Sequence, residues 1–207
     1  MTRINPFRGA HYVLSAHQLH QLPSDEGIEV AIAGRSNAGK SSAINALTDQ
    51  KSLARTSKTP GRTQQIVIFE LDEQRRIADL PGYGYAKVSR SLKEHWQLVM
   101  QDYFEQRKCL KGVVLVMDIR HPLKEFDVQM LSWCKTAGVP CHVLLTKADK
   151  LKRGPAQSTL LQVRKQIPPG GSVQVFSAKN RTGLDELIDH LSIWFDYNPQ
   201  ATRPDSA

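Results

Sequence analysis

Gly34-Arg35-Ser36-Asn37-Ala38-Gly39-Lys40-Ser41-Ser42 is the stretch from which the rest of the chain can be read. It has the form G-x-x-x-x-G-K-S, the spacing of a phosphate-binding loop. In such a loop successive backbone N–H groups, freed by glycine geometry, wrap a phosphate that also rests on a helix N-terminus. Lys40 is then placed to reach the β- and γ-phosphates, and the Ser41 hydroxyl to ligate Mg²⁺. The flanks agree with this. Residues 28–33 read Ile-Glu-Val-Ala-Ile-Ala, an apolar run suited to a buried strand, and Ala43, Ile44 and Leu47 then recur at helical spacing. A chance glycine turn is the competing reading, and it weakens once strand, loop and helix arrive in this order.

Outward from that loop, apolar strands alternate with amphipathic helices. Gln65 to Leu71 and Arg76 to Leu80 read as strands joined by a turn at Asp72-Glu73-Gln74. Gly112 to Asp118, Val139 to Leu145 and Ser172 to Phe176 read as further strands. Helices are expected over Ser91 to Lys108, around Phe126, Met130, Trp133 and Cys134, over Ser158 to Ile167, and over Leu184 to Phe195. Strands that are apolar throughout imply a doubly wound α/β sheet covered on both faces. Residues 1–27 are expected to be an extension that packs on this domain, 28–196 the domain itself, and 197–207, rich in Pro and polar residues, a disordered tail. Asp49 to Thr63 is polar and basic, with a turn at Thr59-Pro60-Gly61, and reads as a mobile loop.

Composition narrows the classes. A chain of 207 residues can bury a sizeable core without crosslinks. Its three cysteines, Cys109, Cys134 and Cys141, are isolated, which fits small core residues of a reducing compartment better than a disulfide frame or zinc site. His11, His17 and His20 match no zinc spacing. The N-terminus lacks the apolar core of a secretion signal, and no apolar run reaches membrane-spanning length, so a cytoplasmic protein without membrane contact is expected. The net charge of +8 favours a polyanionic partner such as RNA or a ribosomal particle.

Three further segments fall at strand ends, where α/β sheets place ligands. Asp79-Leu80-Pro81-Gly82 is D-x-x-G, Thr146-Lys147-Ala148-Asp149 is close to a base-reading N-K-x-D, and Ser177-Ala178-Lys179 is S-A-K. Each is weak alone. In this order, after the phosphate loop, they form a strong constellation.

With these segments the chain resembles the translation-factor-type GTPases, and more closely the EngB (YihA/YsxC) family of ribosome-biogenesis GTP-binding proteins. The resemblance is carried by residues 34–42, Lys58-Thr59-Pro60-Gly61-Arg62-Thr63-Gln64, Asp79-Leu80-Pro81-Gly82-Tyr83-Gly84-Tyr85-Ala86, residues 146–149 and residues 177–179, and spans about residues 10 to 196. It implies a three-layer P-loop GTPase domain with a mostly parallel six-stranded sheet and helices on both faces. It implies a monomeric, Mg²⁺-dependent GTP/GDP switch in large-subunit assembly, with a role in cell division and septation. Lys40, Thr63 and Gly82 would then serve hydrolysis. Nucleotide would be held by residues 34–42, by Gly61, Arg62, Thr63, Gln64 and Gln65, by Asp79, Leu80, Pro81 and Gly82, and by the two base-facing segments. The metal shell would comprise Ser41, Thr63 and, through water, Asp79. Thr59 rivals Thr63 for the metal role.

Two departures from the pattern matter. Thr146 stands where many GTPases carry Asn, and a hydroxyl ties that loop to the P-loop more weakly than an amide. Tyr83 follows D-x-x-G where Ras-like enzymes place the glutamine that orients water. Slow intrinsic hydrolysis is therefore expected, and a GTP-sensing ribosome or RNA scaffold with incidental hydrolysis stays open as the alternative. Asn37 matches the position at which related enzymes lacking the glutamine help hold K⁺. It equally suits a residue that only tolerates a tight turn.

Overall fold

The computed structural model describes residues 5–55, 65–83 and 90–197, with the backbone alone at 90–93 and 95. The Thr59-to-Gln64 segment, Gly84-Tyr85-Ala86 and the tail from residue 198 lie outside the described residues, so the roles expected of Gly61, Arg62, Thr63 and Gln64 have no structural counterpart here.

Seven strands form one sheet: β1 (His11–Ala16), β2 (Ile28–Gly34), β3 (Ile66–Asp72), β4 (Arg75–Asp79), β5 (Leu110–Asp118), β6 (Cys141–Thr146) and β7 (Ser172–Val175). Their spatial order is β1-β3-β4-β2-β5-β6-β7. β4, β2, β5, β6 and β7 run parallel, whereas β3 pairs antiparallel with both β4 and β1. The helices are α1 (Lys40–Leu47), α2 (Arg90–Gln106), α3 (Glu125–Ala137), α4 (Arg153–Arg164) and α5 (Leu184–Trp194).

Alternation along the central strands sorts the helices into two layers. Ala31 and Ala33 of β2 join Met100, Tyr103, Met130 and Cys134 on the α2–α3–α4 side. Val30 and Ile32 join Ile44, Leu47, Leu187 and Leu191 on the α1–α5 side. Both faces are covered, which is why these strands are apolar without a break through their middles, at residues 30–33, 113–117 and 143–145. The three cysteines are free and buried. No described helix is long and apolar enough to cross a membrane.

The sheet has one strand more than the six expected. Residues 11–16 add β1 to the antiparallel edge, with a bulge between Tyr12 and Leu14. An edge strand buries little, and Tyr12 stays 56% exposed, so the stretch has only the short apolar run Tyr12-Val13-Leu14. Helix α4 also begins earlier than expected, at Arg153 instead of Ser158. Pro155 lies in its first turn, where its missing N–H costs no helical bond.

At the N-terminal end of β2, Glu29 is fully buried yet saturated. Its carboxylate accepts from Arg107 Nε (3.1 Å), Arg107 Nη2 (2.9 Å) and the Tyr103 hydroxyl (2.7 Å), with Arg76 Nε 3.2 Å away. This cluster fastens the C-terminal end of α2 beneath the sheet.

On β6, His142 is buried with Nδ1 2.7 Å from Ser172 Oγ and Nε2 2.9 Å from Gln174 Oε1, and its ring stacks on His190 at 4.1 Å. Burial, reinforced by His190, pulls the His142 pKa down to about 4. The unfolded chain takes up this proton near pH 6.5, so between pH 6.5 and 4 unfolding binds the extra proton and stability falls with pH. The full effect is about 3 kcal/mol. Urea denaturation at pH 7 and pH 4.5 should show a smaller loss in His142→Gln than in the native chain, and equal losses would exclude this origin.

Candidate functional site

The phosphate loop leaves β2 at Gly34 because no side chain fits there: a Cβ would stand 2.6 Å from the Val116 carbonyl of β5. The loop then turns through Asn37 (φ 61°) and Gly39 (φ 103°) before α1 begins at Lys40. Asn37 thus meets the conformational demand of a tight turn, while its K⁺ role rests on resemblance alone. Lys40 Nζ forms an ion pair with Asp79 Oδ1 at the end of β4. Burial raises the Asp79 pKa, and Lys40 opposes the rise. Ser41 Oγ donates to the Arg55 carbonyl at 3.2 Å.

Asp79 to Gly82 lie directly against this loop. The Leu80 N–H donates to the Ile32 carbonyl (3.0 Å), and the Ser36 N–H to the Tyr83 carbonyl (2.9 Å). Leu80 and Pro81 are buried, and Gly82 approaches Ser36 so closely that an added Cβ would touch it at 3.5 Å. Tyr83 itself turns into the core and its hydroxyl donates to Asp127 Oδ1 at 3.0 Å. It holds no position from which to orient water.

The base-facing loops close the other side. The buried Thr146 hydroxyl is shared between the Ala38 carbonyl of the P-loop and the Met117 carbonyl (3.1 Å). Lys147, at φ 59°, reaches across the P-loop to donate to the Asn37 carbonyl (2.6 Å) and pairs with Asp118 (3.0 Å). Ser177 Oγ donates to Asp149 Oδ1 at 2.7 Å, which lowers the Asp149 pKa, and the Ala148 N–H donates to the Phe176 carbonyl at 3.1 Å. Ala178 is partly buried and Lys179 exposed at the rim. Ser42 is exposed on α1, and Arg35 bridges to Tyr83. Gln65 stands apart: its amide bonds His17 Nε2 at 2.8 Å, two strands away from β2.

Sequence reading passed over Asp118 and Arg120. Asp118 accepts from Arg120 at 2.9 and 2.7 Å as well as pairing with Lys147. Burial opposes its charge, but Arg120 and Lys147 outweigh burial and hold the carboxyl below its usual range. The signal was available as an acid at the end of an apolar strand with Arg two residues on.

Among the described residues no cluster of three or more His, Cys, Asp or Glu is arranged to hold a metal. The donors at hand are one hydroxyl, Ser41, and one carboxylate, Asp79. Together with phosphate oxygens they make the hard oxygen set that Mg²⁺ takes when it is bound through a nucleotide.

A central parallel sheet whose strand ends gather a phosphate cradle, a D-x-x-G turn and two base-facing loops defines the P-loop GTPase class. Residues 29–147 match the family described as 50S ribosome-binding GTPase. A relative in Xylella fastidiosa (strain 9a5c) named "Probable GTP-binding protein EngB" is 54% identical over 92% of this chain and 96% of its own length. One of the same name in Stenotrophomonas maltophilia (strain K279a) is 57% identical over 89% and 94%. The chain belongs to the EngB family of GTP-binding proteins and is a GTPase. Among solved structures, that of another probable GTP-binding protein EngB superposes with a TM-score of 0.67 at 24% identity, covering 82% of this chain and all of that one. The elongation factor SelB of Methanococcus maripaludis, in complex with the GTP analogue GppNHp, gives 0.56 at 19% identity over 83% of this chain and 34% of its own. These two likenesses show the fold.

The Thr146 tie makes a direct prediction. Thr146→Val keeps the volume but leaves the buried Ala38 carbonyl without its donor, a loss of about 1–3 kcal/mol. Urea denaturation should show that loss together with weaker GTP binding, and an unchanged midpoint would remove Thr146 as the clasp between the two loops.

Proposed function

We propose that the chain is a Mg²⁺-dependent, intrinsically slow GTPase that acts as a cytoplasmic, monomeric switch in assembly of the large ribosomal subunit, with its role in cell division and septation belonging to the same switch. The observation that carries the ribosome reading is the placement of charge. The loops after β5, β6 and β7 (119–124, 147–152 and 176–183) hold seven Lys and Arg residues and one acid, Asp149, and Arg153 follows at the start of α4. A net charge of +6, against +8 for the whole chain, therefore lies in twenty residues on one end of the sheet. A polyanion drawn to that rim meets the nucleotide site directly. The description of the matched family, 50S ribosome-binding GTPase, supports the same partner.

In hydrolysis Lys40 would leave Asp79 for the β- and γ-phosphates, and Asp79 would turn to the water shell of Mg²⁺ shared with Ser41 and Thr63. The metal would neutralise charge developing on the phosphates. The Gly82 N–H would meet the γ-phosphate. With Tyr83 buried, no side chain at that position positions the attacking water, which supports slow turnover without a partner. If Asn37 also holds K⁺, single-turnover hydrolysis runs faster in K⁺ than in Na⁺ at equal ionic strength, whereas equal rates leave Asn37 its turn role alone.

Guanine selection is assigned to Asp149, which Ser177 holds ready to accept from the N1–H and N2 amine. A site built on such pairing discriminates by on the order of 10⁴. Asp149→Asn should shift preference from guanine toward xanthine nucleotides in competition titrations. Equal affinity of the native chain for ATP and GTP would defeat the assignment.

The partner is tested by binding to large ribosomal subunits. GTP-bound chain should bind more tightly than GDP-bound chain, and the more weakly the higher the salt. Reversing Lys152 and Arg153 together to Glu should weaken binding on the order of tenfold. An acid at Arg153 suits the start of α4, so the fold is kept. Undiminished binding by this variant would exclude the rim. Nucleotide-dependent binding with no stimulation of turnover would favour the scaffold alternative.

A further inference from the structure

The contact between Tyr83 and Asp127 joins the D-x-x-G turn to a helix that no functional role has so far included. Tyr83 is only 4% exposed and Asp127 only 1%. The phenol ring lies against Trp96 of α2 (5.4 Å between centroids) and Phe126 of α3 (5.8 Å). Its hydroxyl donates to Asp127 Oδ1 at 3.0 Å, while Asp127 Oδ2 accepts from the Lys124 N–H at 2.9 Å. Both carboxylate oxygens are therefore engaged, one by the first turn of α3 and one by the residue that follows Gly82.

At its backbone the same tyrosine is tied in the opposite direction. Its carbonyl accepts from Ser36 of the P-loop at 2.9 Å. The end of the D-x-x-G turn is thus held from two sides, by main chain to the P-loop and by side chain to α3. At the other end of the turn, Leu80 is bonded to Ile32 of β2. Gly82 lies between these fixed points.

Packing alone does not call for this pair. Phenylalanine would fill the aromatic pocket without burying a carboxylate, and buried polar groups carry a desolvation cost that only their bonds offset. A directional bond supplies what a ring in a pocket lacks: it fixes the rotation and depth of Tyr83, and hence the place of the residue before it. Burial raises the pKa of the phenol, so it keeps the proton it donates.

We propose that Asp127 is a positioning residue for GTP hydrolysis, holding Tyr83 through its hydroxyl so that Gly82 presents its N–H to the γ-phosphate. This rests on the assignment of Gly82 to the γ-phosphate given above. Asp127 touches no reacting atom. Its effect is confined to the nucleotide that carries a γ-phosphate, and GDP binding does not depend on it.

The experiment compares GTP and GDP affinities and single-turnover rates of the full chain with those of Tyr83→Phe, Asp127→Ala and the double variant. Tyr83→Phe should lower GTP affinity relative to GDP about tenfold, the scale of one buried hydrogen bond to a charged group. The double variant should lose no more than Asp127→Ala alone, because both act through one bond. A GTP-to-GDP ratio unchanged in Tyr83→Phe, or losses that add in the double variant, would overturn the inference and leave Asp127 as the cap of α3. If Asp127→Ala fails to fold, Tyr83→Phe decides alone, since it removes one hydroxyl and leaves the bond to Lys124 intact. Gly82→Pro, which removes the N–H itself, tests the γ-phosphate assignment separately. An unchanged ratio there defeats that assignment, while the Tyr83→Phe result still judges the anchor.

Discussion

Strand β2 sits between two parallel neighbours, β4 and β5, with side chains buried on both faces, and the site is built on its C-terminal end. A strand held in this way cannot slip by one residue, because the slip would exchange Val30 and Ile32 for Ala31 and Ala33 across two differently shaped cores. Its last residue, Gly34, is pressed against β5, which sets where the phosphate loop starts. The parallel strands then deliver Asp79, Asp118 and Thr146 to one end of the sheet, Asp118 level with Thr146 and Asp79 level with Val114 of β5.

The two ends of the sheet use charge differently. Below, Glu29 is saturated by Arg107 and Tyr103 in a fully buried cluster, and removing one member would leave a buried charge uncompensated. Above, the ion pairs lie around the phosphate loop: Lys40 with Asp79, and Lys147 with Asp118 at its edge. Helix α2 spans both ends, since Tyr103 in its last turn bonds Glu29 and Trp96 in its middle lies against Tyr83.

Much of this was legible in the chain itself. The inner strands carry unbroken apolar runs because both faces are covered, and this pattern is hard to mistake. The four nucleotide segments were legible because phosphate and base recognition constrain residue type at fixed spacing. Edge strand β1 was not, since its apolar run, Tyr12-Val13-Leu14, is only three residues long and largely exposed. The start of α4 was not legible because residues 153–159 hold no large apolar side chain to mark a helical period.

Sequence by itself determined the order of elements, the phosphate loop and the kind of nucleotide, since each depends on local spacing or on a run of like residues. Tertiary structure alone decided what each side chain does with its neighbours. Asp127 is in sequence an acid near a helix start, and Tyr83 an aromatic after D-x-x-G. They lie forty-four residues apart, and only the packing of α3 beside the end of β4 brings their oxygens within 3.0 Å. The same holds for Lys147, whose link to Asn37 spans 110 residues, and for the basic rim, which is scattered in three loops until parallel strands carry them to one end. A bond across that distance leaves no period in the chain, because what fixes it is the sheet order and not the interval between residues.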